Sequence, residues 1–317
     1  MDPATDESRE VIENEIAVLE QQLQKVKARL AKSKAPASTT TENSIPSPIP
    51  SAQSAHHYLL LLSDSALPLG SFAFSSGLES YLAHTRRGGG AGAGVRTSTT
   101  SASSSSVSSF SSFLPLSVAS YASTTLPFVL SAHANPSPAH VADLDDTLDA
   151  AVVCTVGRRA SVAQGRALLS IWEKSMAAGL RGSLTAYAEL LRSGSSSGRS
   201  GGGDGGGDEE LPPPPVSAHF PPLFGAVASL CGLSMQQTAY VFLLGHVKAL
   251  VSAAVRAGLF GPYQAQRILA GEQVQRCVAM AVRREWCTPV EEAGQCVPVM
   301  DFWVGRHELL YSRIFNS

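Results

Sequence analysis

The chain has 317 residues, 24 Lys and Arg against 26 Asp and Glu, and a formal net charge of −2. That balance excludes a general polyanion binder, because nucleic-acid affinity rests on clustered cations. Subtracting the Ser-, Gly- and Pro-rich segments leaves roughly 200 residues able to fold, enough for one sizeable core. Five cysteines without a CxxC pair (Cys154, Cys231, Cys277, Cys287 and Cys296) predict buried free thiols in a reducing compartment rather than a disulfide framework.

The N-terminus is acidic and shows no apolar signal core. Ile12, Ile16, Leu19, Leu23, Val26 and Leu30 alternate spacings of four and three, which predicts an amphipathic, coiled-coil-like helix over residues 1–34. About three heptads need a partner to be stable. Residues 35–54, rich in Pro, Ser and Thr, read as a disordered linker.

Leu59 to Leu62 then open the stretch LLLLSDSALPLGSFAFSSGLES. Pro68 biases Leu67 away from helix, so the leucine run must stop there. Ser75 and Ser76 are suited to cap a helix from about Gly77 to His84. Asp64 could cap a backbone turn and Glu79 could anchor the first turn of its helix, or both could form a polar rim that a partner reads.

A low-complexity insert is expected from Gly88 to about Ser109, too poor in apolar residues to offset its ordering entropy. Apolar spacing resumes at Phe110, Phe113 and Leu114. The stretch 97–142 lacks charge, yet its Ser, Thr and Pro content makes it a poor membrane span. Ser137 and Pro138 start a helix with a stripe at Val141, Leu144, Leu148 and Val152, and the GRRASVAQGRALLSIW segment continues helically. A second disordered insert is expected over about 193–215.

HFPPLFG and the long apolar run after Ser234 follow, with Gly258 as a helix stop and Pro262 in the next first turn. His246 and Lys248 inside the run argue against a membrane span and for a central helix. In the tail PVMDFWVGRHELLYSRIFNS, Phe302, Trp303, Tyr311 and Phe315 are too apolar for a solvated end, so they fold back or dock on a partner. No alternating strands are evident. The fold class expected is all-α, a single helical bundle over 55–317 with the coiled-coil-like arm and two low-complexity inserts.

Enzyme-like strings carry no chemistry. Gly194 to Gly198 fits GxSxG, and Gly201, Gly203 and Gly206 fit GxGxxG, but both lie in the second insert without a strand-to-helix elbow. No Gly-Lys dipeptide exists, which excludes a P-loop. His307-Glu308 is followed by Tyr311 where a zincin has His, and His56-His57 lacks further ligands.

Four separated segments resemble the UreF family of urease accessory proteins. Ser63, Asp64, Pro68, Gly70, Phe72, Ser76, Gly77, Leu78 and Glu79 match its signature, with Ser71 where many members have glycine. Arg158, Ser161, Gly165, Arg166, Leu168 and Leu169 match a second element. HFPPLFG with the AAVRAGLFG turn matches a third, and His307, Glu308, Arg313, Ile314 and Phe315 a fourth, with Ile for Leu. Nothing before about Ser54 takes part.

The resemblance implies a non-catalytic, dimeric, cytoplasmic helical adaptor. It pairs with UreD (UreH in some systems) and recruits the nickel-loaded GTPase UreG to the urease apoprotein. No cofactor binds directly, and nickel is handled through the partner complex. The alternatives are a regulator of UreG GTP hydrolysis and an unrelated coiled-coil scaffold. On positions matching the motifs, the partner-binding set is Asp64, Gly70, Phe72, Ser76, Glu79, Arg158, Arg166, His307, Glu308, Tyr311, Arg313 and Phe315. Arg256 is a further candidate interface arginine.

Overall fold

The computed structural model describes residues 55–87, 99–180, 182–196 and 216–316. The amphipathic arm and its linker lie outside the described residues. Eleven α-helices and no strand occur among the described residues. They are α1 (Ala55–Ser63), α2 (Leu78–Arg87), α3 (Thr99–Ala134), α4 (Pro138–Ala151), α5 (Thr155–Ile171), α6 (Thr185–Ser196), α7 (Phe220–Leu230), α8 (Met235–Arg256), α9 (Pro262–Ala270), α10 (Glu272–Glu285) and α11 (Pro298–Gly305). The all-α class is therefore observed.

Each insert differs from expectation at one boundary. The chain is already helical from Thr99, so the later part of the expected 88–109 insert belongs to α3. Likewise α6 continues to Ser196, past the expected start of the second insert at 193. Serine is a tolerable helix former when the downstream helix supplies the nucleus, which composition alone does not reveal.

The 36-residue α3 is the axis of the domain, packing against α7, α8 and α10. It runs unbroken through Pro115 and Pro127. A proline inside a helix has no N–H for the carbonyl four residues back. Here each freed carbonyl finds another donor. The Ser111 carbonyl accepts from Gln273 Nε2 at 3.0 Å. The Ser123 carbonyl accepts from the Gly294 N–H at 3.1 Å. Elements far along the chain thus dock where the prolines leave acceptors open.

The α3–α7 crossing is close because Gly225 has no side chain. A Cβ there would run into the Val129 carbonyl and approach Ala132 Cβ to 3.1 Å. Phe110, Phe113, Leu126 and Phe128 of α3 are buried, as are Leu223, Phe224 and Val227 of α7. Ser234 opens α8 with a full capping box, its hydroxyl taking the Gln237 N–H while Gln237 Oε1 takes the Ser234 N–H. The helix ends in a Schellman turn, Leu259 N–H to the Ala254 carbonyl and Gly258 N–H to the Val255 carbonyl, with Gly258 at φ 72°.

Residues 107–134 and 235–256 are long and apolar enough to cross a membrane by length and composition. Their apolar windows are 67% and 56% buried by the rest of the protein, which makes them its core helices. The cysteines are free, but they differ from the expected buried set. Cys231 is buried, while Cys287 and Cys296 are exposed.

Gly225→Ala forces α3 and α7 apart. Its expected cost is about 1–3 kcal/mol of unfolding free energy, the range of overpacked cores, read from urea denaturation with an unchanged slope.

Candidate functional site: the signature, its clamped tail and the HFP clasp

The signature begins where α1 ends. Asp64 Oδ1 accepts the Ala66 N–H at 3.0 Å, the turn-capping role open to it on sequence grounds. Gly70 takes φ 70° and starts a single 3-10 turn, Ser71–Ala73. Ser76 also has positive φ, 48°, and Gly77 follows at φ 84°. Gly77 is needed on a second count, since a Cβ there would lie 3.1 Å from the Val304 nitrogen and 3.2 Å from Trp303. Ser75, rather than Ser76, supplies the oxygen near the α2 start, accepting from the Glu79 N–H at 3.4 Å.

Glu79 lies in the first turn of α2, and its hydrogen bonds go to the tail. Its carboxylate accepts the Ile314 N–H at 2.7 Å and the Phe315 N–H at 3.3 Å. His307 Nε2–H donates to the Phe315 carbonyl at 3.0 Å, and its Nδ1 lies 3.6 Å from Glu79 Oε2. That Nδ1 is buried without a hydrogen bond. The Asn316 N–H reaches the Ala73 carbonyl at 2.8 Å. Arg256, from the end of α8, donates to the Phe72 carbonyl and covers the Phe315 ring at 4.4 Å. The tail therefore folds back, with His307 and Phe315 buried. Of the expected set, Phe72, Glu79, His307 and Phe315 meet here.

Outside the clamp the tail is bare. Tyr311 is fully exposed, and Leu309, Phe72, Ile314 and Phe302 are 75%, 64%, 63% and 51% exposed. Arg313 is exposed and has no ion-pair partner among the described residues. Glu308 pairs with Arg159 of α5.

Arg158 and Arg166 belong to a different cluster. Val216 to Phe220 lead into α7, and this HFP segment is held by α4 and α5. The buried Asp145 carboxylate accepts the N–H groups of Ser217, Ala218 and His219 at 2.6, 3.1 and 2.5 Å. Ala218 sits at φ 69°, and Gly165 lets its carbonyl approach α5, where a Cβ would collide. Arg166 Nε donates to the Ser217 carbonyl at 3.3 Å. His219 Nε2 donates to Asp149 Oδ1 at 2.8 Å and its Nδ1 takes the Ser161 hydroxyl at 3.0 Å. Arg158 grips both Asp149 oxygens at 2.7 Å.

Ser161, His219 and Asp149 are in the order of a hydrolase relay. The Ser161 oxygen, however, also accepts the Phe220 N–H at 3.2 Å, so it caps α7 rather than facing a substrate. The hydrogen bonds from Arg158 and, more weakly, His219 lower the Asp149 carboxyl to about 2. Asp145, Asp149 and His219 were not among the sequence candidates. Asp145 and Asp149 share a face four residues apart, a spacing visible in the sequence, but the donors that Asp145 collects, N–H groups of a loop more than seventy residues away, are not.

Behind the signature lies a cavity of about 520 Å³, bordered by the mid-section of α3, the start of α5, α8 and α11. It was not legible in the sequence. Among the described residues no group of three or more His, Cys, Asp and Glu is placed to hold a metal ion.

The family model for UreF matches residues 105–273. A Schizosaccharomyces pombe protein, described as an uncharacterized urease accessory protein UreF-like, is 35% identical over 271 residues, 84% of this chain and 99% of its own. The chain belongs to the UreF family. Urease accessory protein F of Oryza sativa subsp. indica is 28% identical over 254 residues, spanning 80% of this chain and 82% of the rice protein. Urease accessory protein UreF of Paenarthrobacter aurescens is 29% identical over 260 residues, 81% and 95% of the two chains. As a UreF-family member the chain has an accessory role in urease maturation and is not an enzyme.

Two outcomes are expected. Glu79→Ala removes the acceptor of two tail N–H groups, so amide exchange at Ile314 and Phe315 accelerates at least about tenfold, roughly 1.4 kcal/mol of opening free energy. Asp149 has a folded value below its ordinary one, so its stabilisation is present above about pH 4 and is lost as pH falls toward about 2. The unfolding midpoint therefore drops across that window, and Asp149→Asn, less stable at neutral pH, flattens the drop.

Proposed function

We propose that this chain is the adaptor that, with UreD, recruits nickel-loaded UreG to apo-urease, acting in the cytoplasm and as a dimer within the complex. Nickel is cargo of that assembly on this reading. The observation that carries it is the exposure of Phe72, Phe302, Leu309, Tyr311 and Ile314, all on the two segments that the Glu79 clamp brings together. Large apolar side chains supported from beneath by a buried, hydrogen-bonded frame are what a protein partner can bury with little ordering cost.

The test is co-purification of the full chain with UreD and UreG. Wild type should capture UreD and then UreG, and truncation after Met300 should capture neither. Because truncation also removes the buried Phe315 and His307, Tyr311→Asp with Leu309→Asp is the decisive variant. It should lose UreD while melting like wild type. Wild type that captures neither partner overturns the adaptor reading.

Arg313 favours a second reading. Its guanidinium is exposed and unpaired among the described residues, whereas Arg158 is held on Asp149. An arginine so placed suits regulation of a partner's GTP hydrolysis. Arg313→Ala should then change UreG turnover without weakening assembly.

A further inference from the structure

We propose that the cavity behind the signature is a binding site for a largely apolar small molecule carrying an aromatic ring and a hydroxyl, seated against Tyr121 and beside Gly245. Its volume of about 520 Å³ lies within the range of small-molecule sites, roughly 300–1,000 Å³. One wall is aromatic. Phe220, Phe224 and Phe242 pack on one another with centroids 5.4–5.7 Å apart. Tyr121 stacks on Phe242 at 5.1 Å and on His246 at 4.0 Å.

Several polar groups at the cavity already have partners. Thr124 and Thr125 give their hydroxyl protons to carbonyls of their own helix, Ser120 and Tyr121. His246 is hydrogen-bonded to Ser117 at 3.0 Å, and burial lowers its pKa to about 3, so it brings no charge at neutral pH. Lys248 donates to the Ser63 carbonyl at 2.6 Å. Asp64 and Asp301, both exposed at the rim, are occupied by the Ala66 N–H and the Gln295 amide. By contrast, the Tyr121 hydroxyl finds no hydrogen-bond partner among the described residues, and burial alone raises its pKa. A ligand hydroxyl would supply that partner.

Gly245 gives independent support. Glycine inside a helix costs about 1 kcal/mol relative to alanine. At Gly165 and Gly225 that cost has a reason, since neighbouring backbone leaves no room for a Cβ. At Gly245, in the middle of α8, a Cβ would meet no atom within 4 Å. No packing within the chain accounts for this glycine. It is exposed and borders the cavity.

The experiment titrates the full chain with 2-naphthol by calorimetry. One saturable site per chain is expected. Tyr121→Phe should weaken binding about two- to tenfold, the worth of one net hydrogen bond. Gly245→Leu should abolish it while the ligand-free melting temperature holds or rises. Absence of saturable binding, or unchanged binding in the folded Gly245→Leu variant, overturns the proposal. If Gly245→Leu fails to fold, unchanged affinity in Tyr121→Phe still does so.

Discussion

A helix of 36 residues with prolines at 115 and 127 leaves two carbonyls without intrahelical donors, and the domain is arranged so that each is met. Buried carbonyls left open destabilise by a sizeable fraction of a domain's net stability. Gln273 at the start of α10 and Gly294 in the loop before α11 therefore occupy positions that are chemically specified as well as apolar. Hydrophobic contact alone would allow α10 to slide along α3. Two point-like acceptors, twelve residues apart on one helix, remove that freedom. With α10 and the following loop located, α11 is carried to the place where its backbone meets Gly77.

That placement converts three sequence-remote segments into one face. The signature turn, the end of α8 and the tail are joined by hydrogen bonds that run to backbone groups on the Phe72, Ala73, Ile314 and Phe315 side. Backbone recognition explains why the tail can expose Tyr311 and Ile314 without losing its position. The clamp reads the chain's peptide groups, and the side chains remain available to a partner. The HFP clasp follows the same economy of design, with Asp145 gripping three successive N–H groups so that α7 enters the core at a set angle.

Local chemistry was legible in the sequence wherever its partner is close along the chain. The Ser234 capping box, the Gly258 stop, the first-turn prolines at 138 and 262 and the Asp64 turn all involve partners within a few residues. The all-helical class follows from the same kind of information. What escaped involves distance. Glu79 could be read as a helix-start carboxylate because its tail partners lie 235 residues on. Serines after Thr99 read as an excursion because composition does not report that α3 continues through them. The matching arginines at 158 and 166 divided from the matching glutamate at 79, since sequence similarity marks positions without saying which of them touch. The cavity could not be anticipated at all, being a property of how helices remote in sequence fail to meet.

The separation between Glu79 and Ile314 has a temporal side. At a synthesis rate of about 5–20 residues per second, some 12–47 seconds pass between the appearance of the carboxylate and that of the amides it holds. Throughout that interval the nascent signature has neither its clamp nor the Trp303 backbone against Gly77. Closing a loop of this length is also entropically the slow part of folding. The face that joins signature and tail is thus the last surface of the domain to mature, and Met300 and Phe315 complete the core only as it forms.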